Sequence, residues 1–106
     1  MPYRLKFSTE ADEQLRALEN GGPATETKLN KVRPALALLE HDPRYPGLRS
    51  HQYENFPGAP TAKVWDSYVE NKNPSAWRIY WMYGPNKVVG GTEIAIITVL
   101  SIGPRL

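Results

Sequence analysis

The chain has 106 residues, enough for one domain with its own core, and 41% hydrophobic with 23% charged residues is the balance of a globular protein. It contains no cysteine, which excludes disulfides and thiolate metal sites. The net charge of +2 is uneven: residues 1–43 hold six Lys/Arg against seven Asp/Glu, and residues 44–106 hold seven against four, a mild pull toward an anionic partner in the second half.

The N-terminal MPYRLKF lacks the apolar run of a signal peptide, and IAIITVL is strand-sized rather than membrane-spanning. A cytoplasmic single domain over residues 1–106 is the expectation. In YRLKF, Tyr3, Leu5 and Phe7 alternate with Arg4 and Lys6, which predicts a half-buried strand. Ser8 or Thr9 can cap a first helix, with Glu10, Asp12 and Glu13 at its positive end and Ala11, Leu15 and Leu18 as its apolar stripe. Asn20-Gly21-Gly22 ends it, and Pro23 and Thr25 open a second helix with Leu29, Val32, Leu36 and Leu39 on one face. Pro34 falls inside that helix and predicts a kink, since it cannot donate its backbone hydrogen bond. The two helices form an antiparallel hairpin.

HDPRYPGL reads as a loop, and short strands follow near residues 48–53, 62–69, 76–83 and 93–102. FPGAP and ENKNPS punctuate them, and GPNKVVGG reads as a turn-rich link before the last. The class is α+β: an N-terminal strand, a helix hairpin and a mainly antiparallel sheet in the order β-α-α-β-β-β-β.

Eight of the eleven aromatic residues fall between positions 53 and 83. Alternation in WRIYWMY puts Trp77, Ile79, Trp81 and Tyr83 on the core face and leaves Arg78, Tyr80 and Met82 on an open face. There Arg78 either pairs across strands with Asp66 or Glu93, or holds a phosphate while Tyr80 stacks a base. Of the two histidines, His41 suits a helix C-terminus, whereas His51 lies on or beside a strand near Arg49 and Tyr53 as an acid–base candidate. No metal-ligand spacing, nucleotide loop or nucleophile motif is present.

The element order, PGLRSHQY, the SAWRIYW strand and the closing ITVLSIGPR together resemble the RelE/ParE superfamily of bacterial toxins from type II toxin–antitoxin modules. The most specific points of likeness are Trp77-Arg78, early in the penultimate strand, and Gly103-Pro104-Arg105 after an apolar last strand. The resemblance implies a RelE-like fold and a metal-independent endoribonuclease that cleaves messenger RNA on the ribosome and so inhibits translation. In that chemistry the RNA 2′-hydroxyl attacks the adjacent phosphate, which requires a base, an acid for the 5′-oxygen and cations for the growing charge. The motif match assigns Arg78 and Arg105 to the phosphate and His51 to proton transfer, with Arg49, Lys63 and Tyr80 as RNA-binding residues. A one-residue register slip before position 70 would turn Arg49, His51 or Lys63 to the other face. The implied partners are a cognate antitoxin protein, a flexible and partly acidic segment, and messenger RNA, with no membrane, metal or cofactor. Two alternatives share the fold: a toxin-fold binding module without catalysis, and a ParE-like poison of DNA gyrase.

Overall fold

The structure, a computed structural model, describes residues 2–71 and 75–106. Strand β1 (Arg4–Phe7) leads into helix α1 (Thr9–Asn20) and helix α2 (Pro23–His41). A short 3-10 turn (Pro46–Leu48) precedes β2 (His51–Tyr53), β3 (Val64–Tyr68), β4 (Trp77–Tyr83), β5 (Lys87–Val89), β6 (Thr92–Ile94) and β7 (Ile96–Pro104). The main sheet has the order β1-β7-β4-β3-β2 and is antiparallel except where β1 runs parallel to β7. The chain is therefore an α+β protein with a mainly antiparallel sheet. Among the described residues no helix is long and apolar enough to cross a membrane.

Helix α1 starts where the sequence predicts, with the Ser8 hydroxyl accepting the Ala11 N–H at 3.0 Å. The same hydroxyl donates to the Leu100 carbonyl at 2.8 Å. Leu100 is the extra residue where the β4–β7 register slips between Tyr80 and Trp81, so the cap also satisfies an acceptor at the bulge. Beyond Val99, β7 outruns β1, and the Gln14 carboxamide oxygen takes the Ile102 N–H at 2.6 Å instead. Gly22, at φ 62°, makes the turn between the helices, and Thr25 Oγ1 donates to the Leu18 carbonyl at 2.6 Å. Helix α2 runs through Pro34 as one element rather than breaking there. Pro34 and Asn30 are both exposed, so the carbonyl that lacks its partner faces water.

The helix hairpin covers one face of the sheet. Ala11, Leu18, Leu29, Val32, Leu36 and Leu39 pack on Ile79, Trp81, Ile97, Val99 and Ile102. Each buried Leu, Ile or Val side chain here contributes about 1.5–3 kcal/mol of transfer free energy.

The opposite face, expected to be open, is covered. The segment after β2 folds back through a bridge between Phe56 and Ala59, and Phe56, Val64 and Tyr80 form a second apolar cluster with Tyr53, Ala62 and Leu100 against it. The alternation in β4 is as predicted, but Arg78 is only 4% exposed and Tyr80 only 1%. FPGAP is thus a cover as well as punctuation. The link GPNKVVGG is also more than a turn: β5 and β6 pair as a separate hairpin around Gly90-Gly91, whose φ values of 57° and 81° suit a two-residue turn. The expected turn at ENKNPS lies partly outside the described residues, at positions 72–74.

Glu70 ties helix α2 to the start of β4. Its carboxylate accepts from Lys28 Nζ at 2.7 Å, Lys31 Nζ at 3.1 Å and the Trp77 backbone N–H at 3.1 Å. These donors, Lys28 foremost, lower its pKa from 4.5 to about 2. A depressed carboxylate stabilises the fold above its unfolded pKa and loses that contribution as pH falls through its folded one. Glu70→Gln should therefore cost about 1–2 kcal/mol at neutral pH, after discounting the half-exposed Lys31 for solvent screening. In thermal melts from pH 7 to pH 2, the gap to the wild type should close between roughly pH 5 and 2; a constant gap would refute the role.

Candidate active site

At the end of the sheet where β7 finishes and β4 begins, five groups converge. Asp66 lies opposite His51 across the β2–β3 ladder, and Tyr68 lies opposite Arg78 across the β3–β4 ladder. Strand alternation then puts Asp66 and Tyr68 on one face. His51 Nε2 is 3.1 Å from Asp66 Oδ2, and Arg78 Nε is 3.7 Å from Asp66 Oδ1. The Arg78 guanidinium lies 3.6 Å from the centre of the Tyr68 ring, and that of Arg49 lies 6.0 Å from it. Arg78 Nη1 also donates to the Glu70 carbonyl at 2.8 Å.

Asp66 is nearly fully buried, and its Oδ1 has no hydrogen-bond partner among the described residues. Burial pushes its carboxyl above the usual carboxylate range, while the charges of His51, Arg78 and Arg105 pull it back. His51, whose side chain is 54% exposed, also has Nδ1 3.1 Å from the Arg49 carbonyl oxygen. A carbonyl only accepts, so Nδ1 carries a proton there. Nε2 then either donates to an ionised Asp66 or accepts from a protonated one. In both cases one proton is shared between an exposed imidazole and a buried carboxyl.

A chain of side chains fixes the entry to β2. Trp81 Nε1 donates to Ser67 Oγ at 2.7 Å, Ser67 Oγ lies 2.6 Å from Ser50 Oγ, and Ser50 Oγ lies within 3.4 Å of the Pro43 carbonyl. Arg49, just before it, adopts φ 47°, an uncommon conformation for a residue with a side chain. These constraints hold His51 in register with Asp66.

The C-terminal segment is pinned rather than frayed. The Arg105 N–H donates to the Ala76 carbonyl at 3.0 Å, and the Leu106 N–H donates to the Tyr80 hydroxyl at 2.9 Å. Arg105 itself is exposed and close enough to act on the Asp66 charge.

The six residues singled out from the sequence therefore fall into three groups. His51, Arg49, Arg78 and Arg105 come together around Asp66 and Tyr68. Tyr80 lies against the cluster but does not stack a base as expected: its ring packs on Tyr53 and Phe56 at 5.1 and 5.5 Å, and its hydroxyl holds the chain end. Lys63 is on the other face, because it shares strand parity with Trp65, and its ammonium lies 5.6 Å from that ring. Arg78, for which the resemblance implied a phosphate, makes instead the cross-strand pair with Asp66 that its position on the strand also allowed, and is engaged as well by Tyr68 and the Glu70 carbonyl. Asp66 entered the sequence reading only as a pairing partner, and Tyr68 only as one of many aromatics. The available signal was an acid inside VWDSY, where a buried charge requires a cation nearby.

Comparison with protein-family models, with curated proteins and with solved structures returned no match to this chain.

Proposed function

We propose that the chain is a RelE-like toxin that cleaves messenger RNA on the ribosome by attack of a 2′-hydroxyl on the adjacent phosphate, independently of a metal. The observation that carries this reading is the exposed His51, paired with buried Asp66 and flanked by Arg49 and Arg105 at one end of the sheet. The order of one strand, two helices and a mainly antiparallel sheet supports a RelE-like fold. Arg49 and Arg105 are exposed and serve as the phosphate contacts. Arg78 is a positioning residue, which holds Asp66 and the Tyr68 ring and so fixes the imidazole.

In the reaction the 2′-oxygen bonds to phosphorus as its proton passes to solvent, and the bond to the 5′-oxygen breaks. His51 in its protonated form, held by Asp66 at Nε2, turns its Nδ1–H from the Arg49 carbonyl to the 5′-oxygen and gives up that proton, leaving a 2′,3′-cyclic phosphate and a 5′-hydroxyl. The arginines stabilise the charge that grows on the phosphate oxygens. The antitoxin is a flexible, partly acidic segment that covers these exposed cations.

The test is expression from a tight promoter followed by mapping of RNA ends. New 5′-hydroxyl ends within messages and arrested growth are the expected result. Intact transcripts with folded protein present would overturn the reading. The burial of Arg78 and Tyr80 favours a second reading, a toxin-fold binding module without catalysis. Normal growth, together with stable capture of a partner through the same end of the sheet, would select it.

A further inference from the structure

A concave surface lies on the helix-side face of the sheet, opposite the cluster and sharing Arg49 with it, between the loop after α2 and the sheet. It is a groove of about 610 Å³, and Arg44, Tyr45, Arg49, Trp65, Trp81 and Tyr83 are among its lining residues. Among the described residues no carboxylate lines it, although the Asp42 charge reaches Tyr83 from its rim. Tyr83 is 42% exposed and Tyr45 45%, although both are large aromatics. The Trp65 ring stacks on Trp81 at 6.1 Å and 21°, and Tyr83 stands edge-on to Trp81 at 4.9 Å. Trp81, Ser67 and Ser50 lock this wall from behind through the hydrogen bonds described above. The Trp65 indole nitrogen is buried without a hydrogen-bond partner among the described residues.

Burial keeps the Tyr83 hydroxyl above its ordinary pKa, with Tyr3 and Asp42 adding to the effect and Arg44 opposing it. The hydroxyl is therefore protonated at neutral pH and can both donate and accept. Arg44 belongs to the groove and acts on Tyr83 directly. Arg49 belongs to both surfaces: it lines the groove, while its guanidinium sits beside Tyr68 next to His51.

Fixed aromatic walls, exposed rings and two arginines are the recognition chemistry of an unpaired nucleotide, whose base stacks and whose phosphate is charged. We infer that the groove is a second nucleotide subsite for single-stranded RNA, taking the base next to the scissile phosphate and passing the backbone to the His51 pair across Arg49. The inference rests on the reading of the chain as an RNA-cleaving protein and deepens it. Two arginines beside exposed aromatic rings favour a ligand that carries both a charge and a flat base, and a duplex presents no free base face to Tyr83.

The test uses the full-length protein and a mixed-sequence hexaribonucleotide that is 2′-O-methylated throughout, so that it binds but has no 2′-hydroxyl to attack. Binding is read by tryptophan fluorescence, with the same strand in a duplex as competitor. Quenching by the single strand, and much weaker competition by the duplex, are expected. Tyr83→Ala should weaken binding by about tenfold, the loss of one stacked base. Arg44→Ala should weaken it several-fold and flatten its salt dependence. Lys87→Ala, on the separate hairpin, should bind like the wild type. The inference is overturned if Tyr83→Ala and Arg44→Ala, both folded, bind as the wild type does, or if the hexamer does not bind. RNA-end mapping is independent of this result. Cleavage with unaltered binding by the groove variants sinks the subsite alone, and groove-dependent binding without cleavage sinks the ribonuclease reading alone.

Discussion

Arg78→Ala should lower the stability of the protein by about 3 kcal/mol, measured as the midpoint shift in urea unfolding. The guanidinium is almost fully buried and is the partner of a buried carboxylate, a cation over the Tyr68 ring and a donor to the Glu70 carbonyl. Removing it leaves Asp66 with one fewer cation, the Glu70 carbonyl without this donor, and a cavity under the ring. A surface phosphate clamp would behave differently, because its loss would abolish activity and leave the midpoint nearly unchanged. Loss of activity in Arg78→Ala is therefore not evidence of direct contact with RNA. The coupling can be separated with a cycle. Asp66→Ala in the Arg78→Ala background should cost much less than in the wild type, because the buried charges then leave together. Additive losses would show that Arg78 and Asp66 are not coupled.

His51→Ala should have the opposite profile. Its side chain is half exposed and its pair with Asp66 is reached by solvent, so the stability change should stay below about 1 kcal/mol. Under the proposed chemistry, the yield of new 5′-hydroxyl RNA ends should fall by about 10²–10⁴-fold, the usual contribution of a positioned acid or base. His51→Gln keeps a polar side chain but cannot deliver the proton, and it should be as inactive as the alanine variant. Cleavage by His51→Gln at near wild-type yield would remove His51 from the reaction. The two variants thus distinguish a residue that holds the site together from one that acts on substrate. Arg78 is lost through the fold, and His51 through the chemistry.

The residues that read clearly from sequence did so through short-range periodicity. Alternation in RLKF and WRIYWMY assigned each side chain to a face, and the Ser8 cap and the Leu29–Val32–Leu36–Leu39 stripe located the helices to within a residue or two. Alternation alone puts Lys63 with Trp65 and Ser67, on the face opposite Asp66, but which of the two faces meets His51 and Arg78 is set by how β2, β3 and β4 pair. Pairing register depends on contacts between distant segments. The hairpin at Lys87–Ile94 was hidden for another reason: its strands are three residues each and too short for a pattern to show.

The sequence by itself determined the class of fold, the side of the sheet on which Arg78 lies and the basic character of the second half. Only the tertiary structure decided that this side is covered. Whether a sheet face meets water depends on where a loop folds, and Phe56 seals it from more than twenty positions away in the chain. That closure turns Arg78 from a free cation into an internal support and Tyr80 from a stacking platform into an anchor for Leu106. It leaves His51, Arg49 and Arg105 as the groups that reach solvent. Burial is a property of the assembled chain, and it was burial, more than residue type, that separated the residues able to touch a substrate from those that hold them in place.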